Sequence, residues 1–436
     1  MDTPPTLGIV GVLGLVVLGC TPNPGGIGSS DDTQTGTTAA DTSGGPSTTA
    51  SADTSNPTTS GSVDDSTTVP TVSTSSSDSG EPEAFYRREL TIHGETLTNE
   101  GPLRDFTVRV MITGDMGLRH VDAGGHVLDA DGADLVFRDP DLQPLGRELM
   151  SYGADSGRLA AWVKVPEIST DEPTTIYLDY GAPSLVGASL DQAWNDDYVG
   201  VWHFEDVVLD GGPILDSSIA GNDGIARNMD DIDGGIAGRA GSGVSFSKSN
   251  AAIEITGGGL DLPGPLTFEG WGRMTGQLTS NGFQRLFHKG GATAAPLLLW
   301  VGDPTVEPIH PFGRYTLGVN QLTAQQFELA YAIPAFSYSD WHHYAAVIGE
   351  PGTDAVLFVD GVRVAADTID DLVDTGHSTL YFGNQDDMGL DQHWSGFVDE
   401  FRFSNVARSD AWIEAGFRTI DDPTGFAAVG PEQSLP

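Results

Sequence analysis

The stretch that decides the fold is WHHYAAVIGEPGTDAVLFVDGVRV, residues 341–364. It contains two largely apolar runs, at 341–347 and 355–360, each with the length of a buried strand. Asp360-Gly361 stands between the second run and the short apolar segment 362–364, and this dipeptide favours the tight turn of a β-hairpin. The segment therefore predicts antiparallel strands that are joined by short turns.

Further short strands are predicted on both sides of this segment. The chain has 57 glycines and 26 prolines in 436 residues, a composition that suits short strands and turns better than long helices. We therefore predict an all-β protein. The predicted strands are at residues 198–205, 252–255, 266–271, 285–289, 380–383 and 397–403.

Taken in order, these pieces resemble the laminin-G-like family of concanavalin A-like domains. The resemblance covers residues 198–430 and implies a jelly-roll sandwich of two antiparallel sheets packed face to face. A short helix follows the last strand, with Ser409 as its predicted N-cap. The segments that carry the resemblance are 216–224, 341–344, 358–361, 398–404 and 405–413.

A second set of alternating strands precedes this region, over residues 84–190. Its spacing of strands and turns predicts a small antiparallel β-sandwich. The segments 133–137, 162–166 and 177–181 resemble an uncharacterised β-rich domain that often precedes laminin-G-like domains in exported bacterial proteins. That resemblance implies a role at the cell surface and assigns no chemistry.

The N-terminal segment, residues 1–20, is predicted to be a signal peptide. Its apolar part, residues 7–18, is shorter than the about 20 residues that span a membrane. It ends in Val17-Leu18-Gly19-Cys20, which resembles the lipobox of bacterial lipoproteins. That resemblance implies cleavage before Cys20 and lipidation of its thiol. The chain departs from the pattern in one respect, because no Lys or Arg precedes Arg87 and the start of the signal peptide lacks its usual positive charge. The alternative is an ordinary signal peptide with an incidental cysteine.

Residues 21–83 are rich in Ser, Thr, Asp and Gly and have almost no large apolar side chain, which predicts a disordered linker. The sequence thus indicates an extracytoplasmic protein, lipid-anchored to the bacterial cell envelope at the outer membrane or cell surface. The net charge of −42, from 62 acids and 20 bases, argues against nucleic-acid binding. The acids favour divalent cations, or they simply keep an exported protein soluble.

A structural calcium ion is the cofactor that we predict. Calcium takes six to eight oxygen ligands, and the polar loop at residues 216–224 offers several. The laminin-G-like resemblance implies a site between such a loop and an acid of the last long strand. We expect Asp216, Asn222 and Asp399 to hold the ion, with Glu205 as a further ligand. The alternative is that the loop is an Asx-type turn and that Asp399 makes an ordinary hydrogen bond.

The predicted function is recognition or adhesion, through binding of a glycan or a cell-surface protein. Sugars pack their C–H faces on aromatic rings, and Trp300, Tyr338 and Trp394 lie in or beside loop-like segments. These three are the predicted ligand-binding residues. Each of them has the alternative role of anchoring a core or a loop.

Two other functions remain as alternatives. A glycoside hydrolase on this fold would carry a Glu-x-Asp-x-x-Glu-like strand, which this chain lacks. Asp399 and Glu400 are adjacent on a strand, so we expect them to point to opposite faces. We therefore predict no catalytic residues and no enzyme activity. An envelope scaffold, in which both domains act as spacers, is the second alternative.

Overall fold

A computed structural model describes most of the chain after residue 84. The described ranges are 85–205, 210–231, 233–260, 264–275, 283–291, 294–302, 314–320, 326–332, 340–371, 379–384 and 393–436. The predicted signal peptide with Cys20, the linker at 21–83 and Tyr338 lie outside these ranges. Within them, no helix is both long and apolar enough to cross a membrane.

Six strands of the first region and the last strand of the chain form one small sandwich, called here the first sandwich. Its sheets have the strand orders β23-β1-β6-β3 and β2-β5-β4. The strands are β1 (Phe85–Ile92), β2 (Leu103–Ile112), β3 (Val136–Arg138), β4 (Arg147–Gly153), β5 (Arg158–Ile168), β6 (Thr174–Tyr180) and β23 (Ala427–Leu435).

The second sandwich is built from the strands β7 to β22. The first eight are β7 (Tyr198–Trp202), β8 (Pro213–Ile214), β9 (Gly224–Arg227), β10 (Ile236–Ala237), β11 (Ser242–Ser245), β12 (Ala252–Thr256), β13 (Leu266–Met274) and β14 (Phe283–Gly291). The others are β15 (Ala294–Gly302), β16 (Arg314–Asn320), β17 (Gln326–Ala332), β18 (His342–Ile348), β19 (Thr353–Val359), β20 (Val362–Ile369), β21 (Thr379–Phe382) and β22 (Gly396–Ser404).

Two eight-stranded antiparallel sheets make up this second sandwich. One has the order β10-β11-β22-β13-β18-β19-β20, with β7 paired to β22, and the other the order β17-β16-β15-β14-β21-β12-β9-β8. Buried side chains such as Trp202, Phe268, Phe287 and Phe382 belong to one hydrophobic cluster that draws on both sheets. The predicted all-β class, with a small sandwich followed by a concanavalin A-like one, is confirmed.

The chain returns to the first sandwich at its C-terminal end. Helix α1 (Asp410–Asp421) follows the second sandwich and begins at the predicted N-cap, where Ser409 Oγ accepts a hydrogen bond from Trp412 N at 3.2 Å. A short helix α2 (Pro423–Phe426) leads into β23, which pairs antiparallel with β1. The predicted boundaries at 84–190 and 198–430 did not anticipate that the last strand of the chain joins the first sandwich.

The two sandwiches share a second hydrophobic cluster, which we call the junction. It joins Trp162 and Trp194 from the first region to Val201, Trp271 and other residues on the outward face of the β22-containing sheet. Helix α1 covers another part of that face, where Phe417 stacks on Trp271 with ring centroids 5.5 Å apart. The β22-containing sheet is therefore buried on both faces.

A β-bulge in β22 corrects one prediction made from the sequence. The pairing with β13 shifts, so that Glu269 faces Arg402 whereas Trp271 faces Asp399. Glu400 takes a positive φ of 53°, and the residues on either side of the Asp399-Glu400 pair, Val398 and Phe401, both lie in the inner core. Asp399 and Glu400 therefore lie on the same face of the sheet, because the bulge adds a residue to one strand.

Candidate functional site

A chain of charged groups, buried except for the half-buried Glu148, crosses the junction. His203 follows β7 and lies between Glu148 of β4 and Glu400 of β22. Its Nδ1 atom is 2.8 Å from Glu400 Oε1, and its Nε2 atom is 3.3 Å from Glu148 Oε2. The two carboxylates thus hold one imidazole from opposite sides, one from each sandwich.

Arg402 extends this network under the tryptophans of the first region. Its Nη2 atom donates to Glu400 Oε2 at 3.1 Å. Its guanidinium lies over the rings of Trp162 and Trp194, at 4.5 and 5.0 Å from their centroids. Since cation–π contacts strengthen when the cation is desolvated, this stack holds the two sandwiches together as well as neutralising Glu400.

The pKa of His203 is raised and the pKa of Glu148 is lowered, as expected for an imidazolium paired with a carboxylate. Burial opposes the charged form of His203, but the charge and hydrogen bonds of Glu400 and Glu148 raise its pKa to about 10. Burial also opposes the charged form of Glu148, and the hydrogen bond and charge of His203 lower its pKa to about 2. An imidazolium and a carboxylate therefore face each other at neutral pH.

Glu148 also lines a cavity of about 510 Å³ at the edge of the junction, which we call the Ser217 cavity. Ser217 Oγ donates to Glu148 Oε1 at 2.7 Å, and Trp194 Nε1 donates to Oε2 at 2.7 Å. The volume lies in the range typical of small-molecule sites. Its other polar wall residues are Arg147, Asp191, Gln192 and Ser218.

Arg147 has unused hydrogen-bonding capacity beside this cavity. Its side chain is buried, and Nη2 donates to Gly132 O at 3.3 Å, whereas Nε has no hydrogen-bond partner among the described residues. Burial lowers the pKa of Arg147, and the charge of nearby Asp191 partly restores it. The cavity wall thus combines a donor-rich guanidinium with an exposed carboxylate and the exposed carboxamide of Gln192.

Apolar side chains at the mouth of the Ser217 cavity are open to solvent. Ile219 lines the cavity and is 58% exposed, and Leu215 on the same loop is 52% exposed. Leu190, next to the cavity residue Asp191, is also exposed. The site therefore offers apolar contact beside its polar groups.

The residues predicted to bind calcium do not fit that role. Asp216 is surrounded by donors: Oδ1 accepts from Val201 N and Ser218 N, both at 2.8 Å, and Oδ2 accepts from Asn222 N at 2.7 Å and Ser218 Oγ at 2.9 Å. Four donors aimed at one carboxylate oppose a cation there. The Asn222 side chain is itself used, since its Nδ2 atom donates to Val199 O at 2.7 Å.

Asp399 and Glu205 belong to a different set of contacts. Asp399 Oδ2 accepts from Arg239 N and Ala240 N at 2.5 and 2.8 Å, and Glu205 Oε1 accepts from Ser242 N at 3.0 Å. In the described ranges, no group of three or more His, Cys, Asp or Glu side chains is placed to hold a metal ion. The loop at 216–224 leads from β8 to β9 and begins with an Asx-type turn, because Asp216 Oδ1 accepts from Ser218 N two residues on.

Two of the three aromatic residues predicted to bind ligand, Trp300 and Trp394, lie in the described ranges and do not form a common binding surface. Trp394 has no exposed surface and lies in the inner core, where its Nε1 atom donates to Phe397 O at 3.2 Å. A buried ring offers no face to a sugar, so Trp394 is a core anchor. Trp300 is half-buried on β15, away from the Ser217 cavity lining, and Tyr338 lies outside the described residues.

Sequence reasoning did not select Glu148, His203, Glu400 or Arg402. One signal was present in Val398-Asp399-Glu400-Phe401-Arg402, where two consecutive acids interrupt a strand that otherwise alternates apolar and polar residues. Two consecutive polar residues in such a strand are compatible with a β-bulge, in which two residues of one strand lie opposite one residue of its partner. The partners Glu148 and His203 lie far apart in sequence from β22, and alternation alone does not pair them.

Two family models match parts of this chain. Residues 247–414 match the Concanavalin A-like lectin/glucanases superfamily, and residues 131–210 match a domain of unknown function, DUF2341. The predicted resemblance to an uncharacterised β-rich domain followed by a laminin-G-like domain is therefore confirmed. The match to the domain of unknown function includes both Glu148 of β4 and His203, so it covers part of the junction.

Several solved structures match about half of this chain at low sequence identity and low TM-score. The binding domain of Paraclostridial Mosquitocidal Protein 1 is 13% identical, with a TM-score of 0.40, and the match covers 51% of this chain and 52% of that chain. The binding domain of Botulinum neurotoxin DC, solved with rat synaptotagmin II, is 9% identical, with a TM-score of 0.38 and 52% of each chain covered. This chain spans about half the length of the solved chains it matches. No curated protein matches it.

Proposed function

We propose that this protein is an exported recognition protein whose two sandwiches form one binding head, with a glycan as ligand in the Ser217 cavity. The observation that carries the proposal is the composition of that cavity. Residues of both regions line it, and Arg147, Asp191 and Gln192 offer donors and acceptors beside the exposed Ile219.

The balance of charges favours a neutral, hydroxyl-rich ligand. Arg147 is opposed by Asp191, and Glu148 is paired with His203, so the wall has no large net charge. A sugar hydroxyl both donates and accepts, which matches a wall that mixes a guanidinium, a carboxylate and a carboxamide. Binding in this cavity needs no calcium and no aromatic platform, in contrast to the site expected from the sequence.

The same groups favour binding over hydrolysis. A glycosidase needs a carboxylic acid that is still protonated near its working pH. Burial alone would raise the pKa of Glu148, the glutamate in the cavity wall, but the hydrogen bond and charge of His203 lower it to about 2. Glu148 is therefore a permanent carboxylate at neutral pH and orients Ser217 and Trp194 instead of donating a proton.

The location remains part of the proposal. Lipid attached to Cys20 would hold the chain on the bacterial envelope, and residues 21–83 would separate the binding head from the membrane. Radiolabelled palmitate should then enter the wild-type chain and not a Cys20→Ser variant. Equal labelling of the two would contradict the anchor without affecting the ligand site.

The test of the ligand site is a glycan array probed with the full chain and with a Gln192→Ala variant. We expect neutral glycans to be retained, and the variant to lose affinity by about three- to tenfold, the effect of one neutral hydrogen bond. Gln433→Ala, which changes an exposed glutamine of β23, is the matched control. An array without a neutral hit, or equal losses in the two variants, would overturn the site. If the array gives no hit and the full chain instead binds a cell-surface protein that carries no glycan, the partner is a protein.

A further inference from the structure

A second cavity lies between the two regions and shares no lining residue with the Ser217 cavity. It has a volume of about 440 Å³, and we call it the Arg109 cavity. Strands β2, β4 and β5 of the first sandwich form one wall, and the loop before β11 and the end of α1 form the other.

Three arginines line this cavity, which is unusual for a chain in which acids outnumber bases by 62 to 20. They are Arg109, Arg158 and Arg239, and the acids that accompany them are Glu205 and Asp421. Arg239 is already engaged by an ion pair with Asp421. The charge that remains for a ligand therefore comes from Arg109 and Arg158. Of the acids that line the cavity, Glu205 opposes it, and Glu400 and Asp399 also act on Arg109.

Arg109 is held in place but is not fully paired. It is only 6% exposed, and its Nη2 atom donates to Ala240 O at 2.8 Å, whereas Nε is buried with no hydrogen-bond partner in the part of the chain that the structure describes. Burial lowers the pKa of Arg109 in spite of the opposing charges of Glu400, Asp399 and Glu205. An additional anion would compensate this guanidinium.

Arg158 provides the accessible half of the site. It begins β5, is exposed to solvent, and forms no ion pair with any residue in the described ranges. Two guanidinium groups, one buried and fixed and one exposed, suit a carboxylate because charge-assisted hydrogen bonds of this kind are strong and directional.

The other wall residues indicate what the carboxylate is attached to. Met111, Met150, Ile420 and Pro423 are aliphatic or thioether side chains, and none of the described residues that line the cavity is aromatic. A sugar ring would lack a stacking partner here, whereas methionines adapt their shape to aliphatic groups. The cavity therefore suits a carboxylate on an aliphatic body better than an acidic sugar.

We propose that the Arg109 cavity binds a carboxylate carried on an aliphatic body, as found at the C-terminus of a peptide that ends in an apolar residue. Arg158 and Arg109 contact the carboxylate, and Met111 and Met150 contact the apolar side chain. This site is separate from the Ser217 cavity and does not depend on the glycan proposal.

Calorimetric titration of the full chain with N-acetyl-leucine tests this, with the neutral N-acetyl-leucinamide as its isosteric comparison. We expect the acid to bind at least about tenfold more tightly than the amide. Arg158→Gln should remove most of this difference, and because Arg158 is exposed the variant should fold. Arg104→Gln, which changes an exposed arginine paired with Glu167, is the matched control and should leave the affinity unchanged.

Three results would overturn the proposal: equal binding of acid and amide, an unchanged affinity in Arg158→Gln, or tighter binding of glucuronate than of N-acetyl-leucine. The last would assign the cavity to acidic sugars. Gln192→Ala separates the two sites, since it should weaken glycan binding and leave the binding of N-acetyl-leucine as in the wild type.

Discussion

The Nε2 atom of His203 lies 3.3 Å from Oε2 of Glu148, so an ion pair between a buried imidazole and a half-buried carboxylate joins the second sandwich to the first. Glu400 completes the contact from the other side of the imidazole at 2.8 Å. Because each ion depends on the others for compensation, the two sandwiches are expected to unfold together. The surfaces between them, which contain both cavities, are then fixed in shape.

Glu400→Gln should destabilise the protein strongly. The change keeps the volume of the side chain but leaves the His203 and Arg402 charges without their shared partner, and breaking a buried pair in this way costs about 3–5 kcal/mol. Urea denaturation measures the free energy of unfolding. Glu254→Gln, whose partner Arg227 is exposed, is the control and should cost less than about 1 kcal/mol. Similar losses in the two variants would contradict a structural role for the network.

The stability should depend on pH in two opposite directions. The pKa of His203 is raised from 6.5 to about 10, so its contribution is complete below pH 6.5 and is lost as the pH rises through 10. The pKa of Glu148 is lowered from 4.5 to about 2, so its contribution is complete above pH 4.5 and is lost as the pH falls towards 2. These two groups together favour the range between pH 4.5 and 6.5.

Urea denaturation at a series of pH values checks this, with His203→Gln as the comparison. The variant should lose less stability than the wild type between pH 6.5 and 10. In this range the wild type releases the His203 proton when it unfolds, and the variant has no such proton to release. Parallel profiles for the two proteins would show that His203 does not carry the expected charge.

The fold was predictable from the sequence because it depends on local patterns. The Asp360-Gly361 turn and the alternating strands around it indicate an antiparallel sandwich, and Ser409 marks the start of α1. The site was less predictable because it depends on contacts between distant segments. Glu148 and Glu400 are separated by most of the folded chain, and a one-residue bulge reversed the face that simple alternation assigned to Glu400.

Gly270→Ala tests the bulge directly. A Cβ atom at residue 270 would overlap the ring of Phe401, which packs against the glycine opposite the bulge. Overpacking of this kind costs about 1–3 kcal/mol, measured as a lower free energy of unfolding. Gly259→Ala is the matched control, because its added Cβ would meet only the Asn222 side chain at 3.4 Å or more. An unaffected Gly270→Ala protein would contradict the packing at the bulge.

Calcium should have no effect on the melting temperature of the protein. An ion that binds only the folded state raises its stability, but the oxygens of Asp216 already accept four hydrogen bonds. Thermal melts with added calcium and with EGTA should therefore coincide. Asp216→Ala should lower the melting temperature by the same amount under both conditions, since it leaves buried donors unpaired. A rise with calcium that Asp216→Ala abolishes would restore the calcium site.

Hydrogen exchange of the full chain, with and without a neutral glycan retained on the array, tests most directly whether the two sandwiches bind ligand together. The Ser217 cavity is formed by segments from both regions, so we predict added protection in peptides that contain Glu148, Gln192 and Ser217. Protection confined to peptides of the second sandwich remote from this cavity, such as those that contain Trp300, would contradict it.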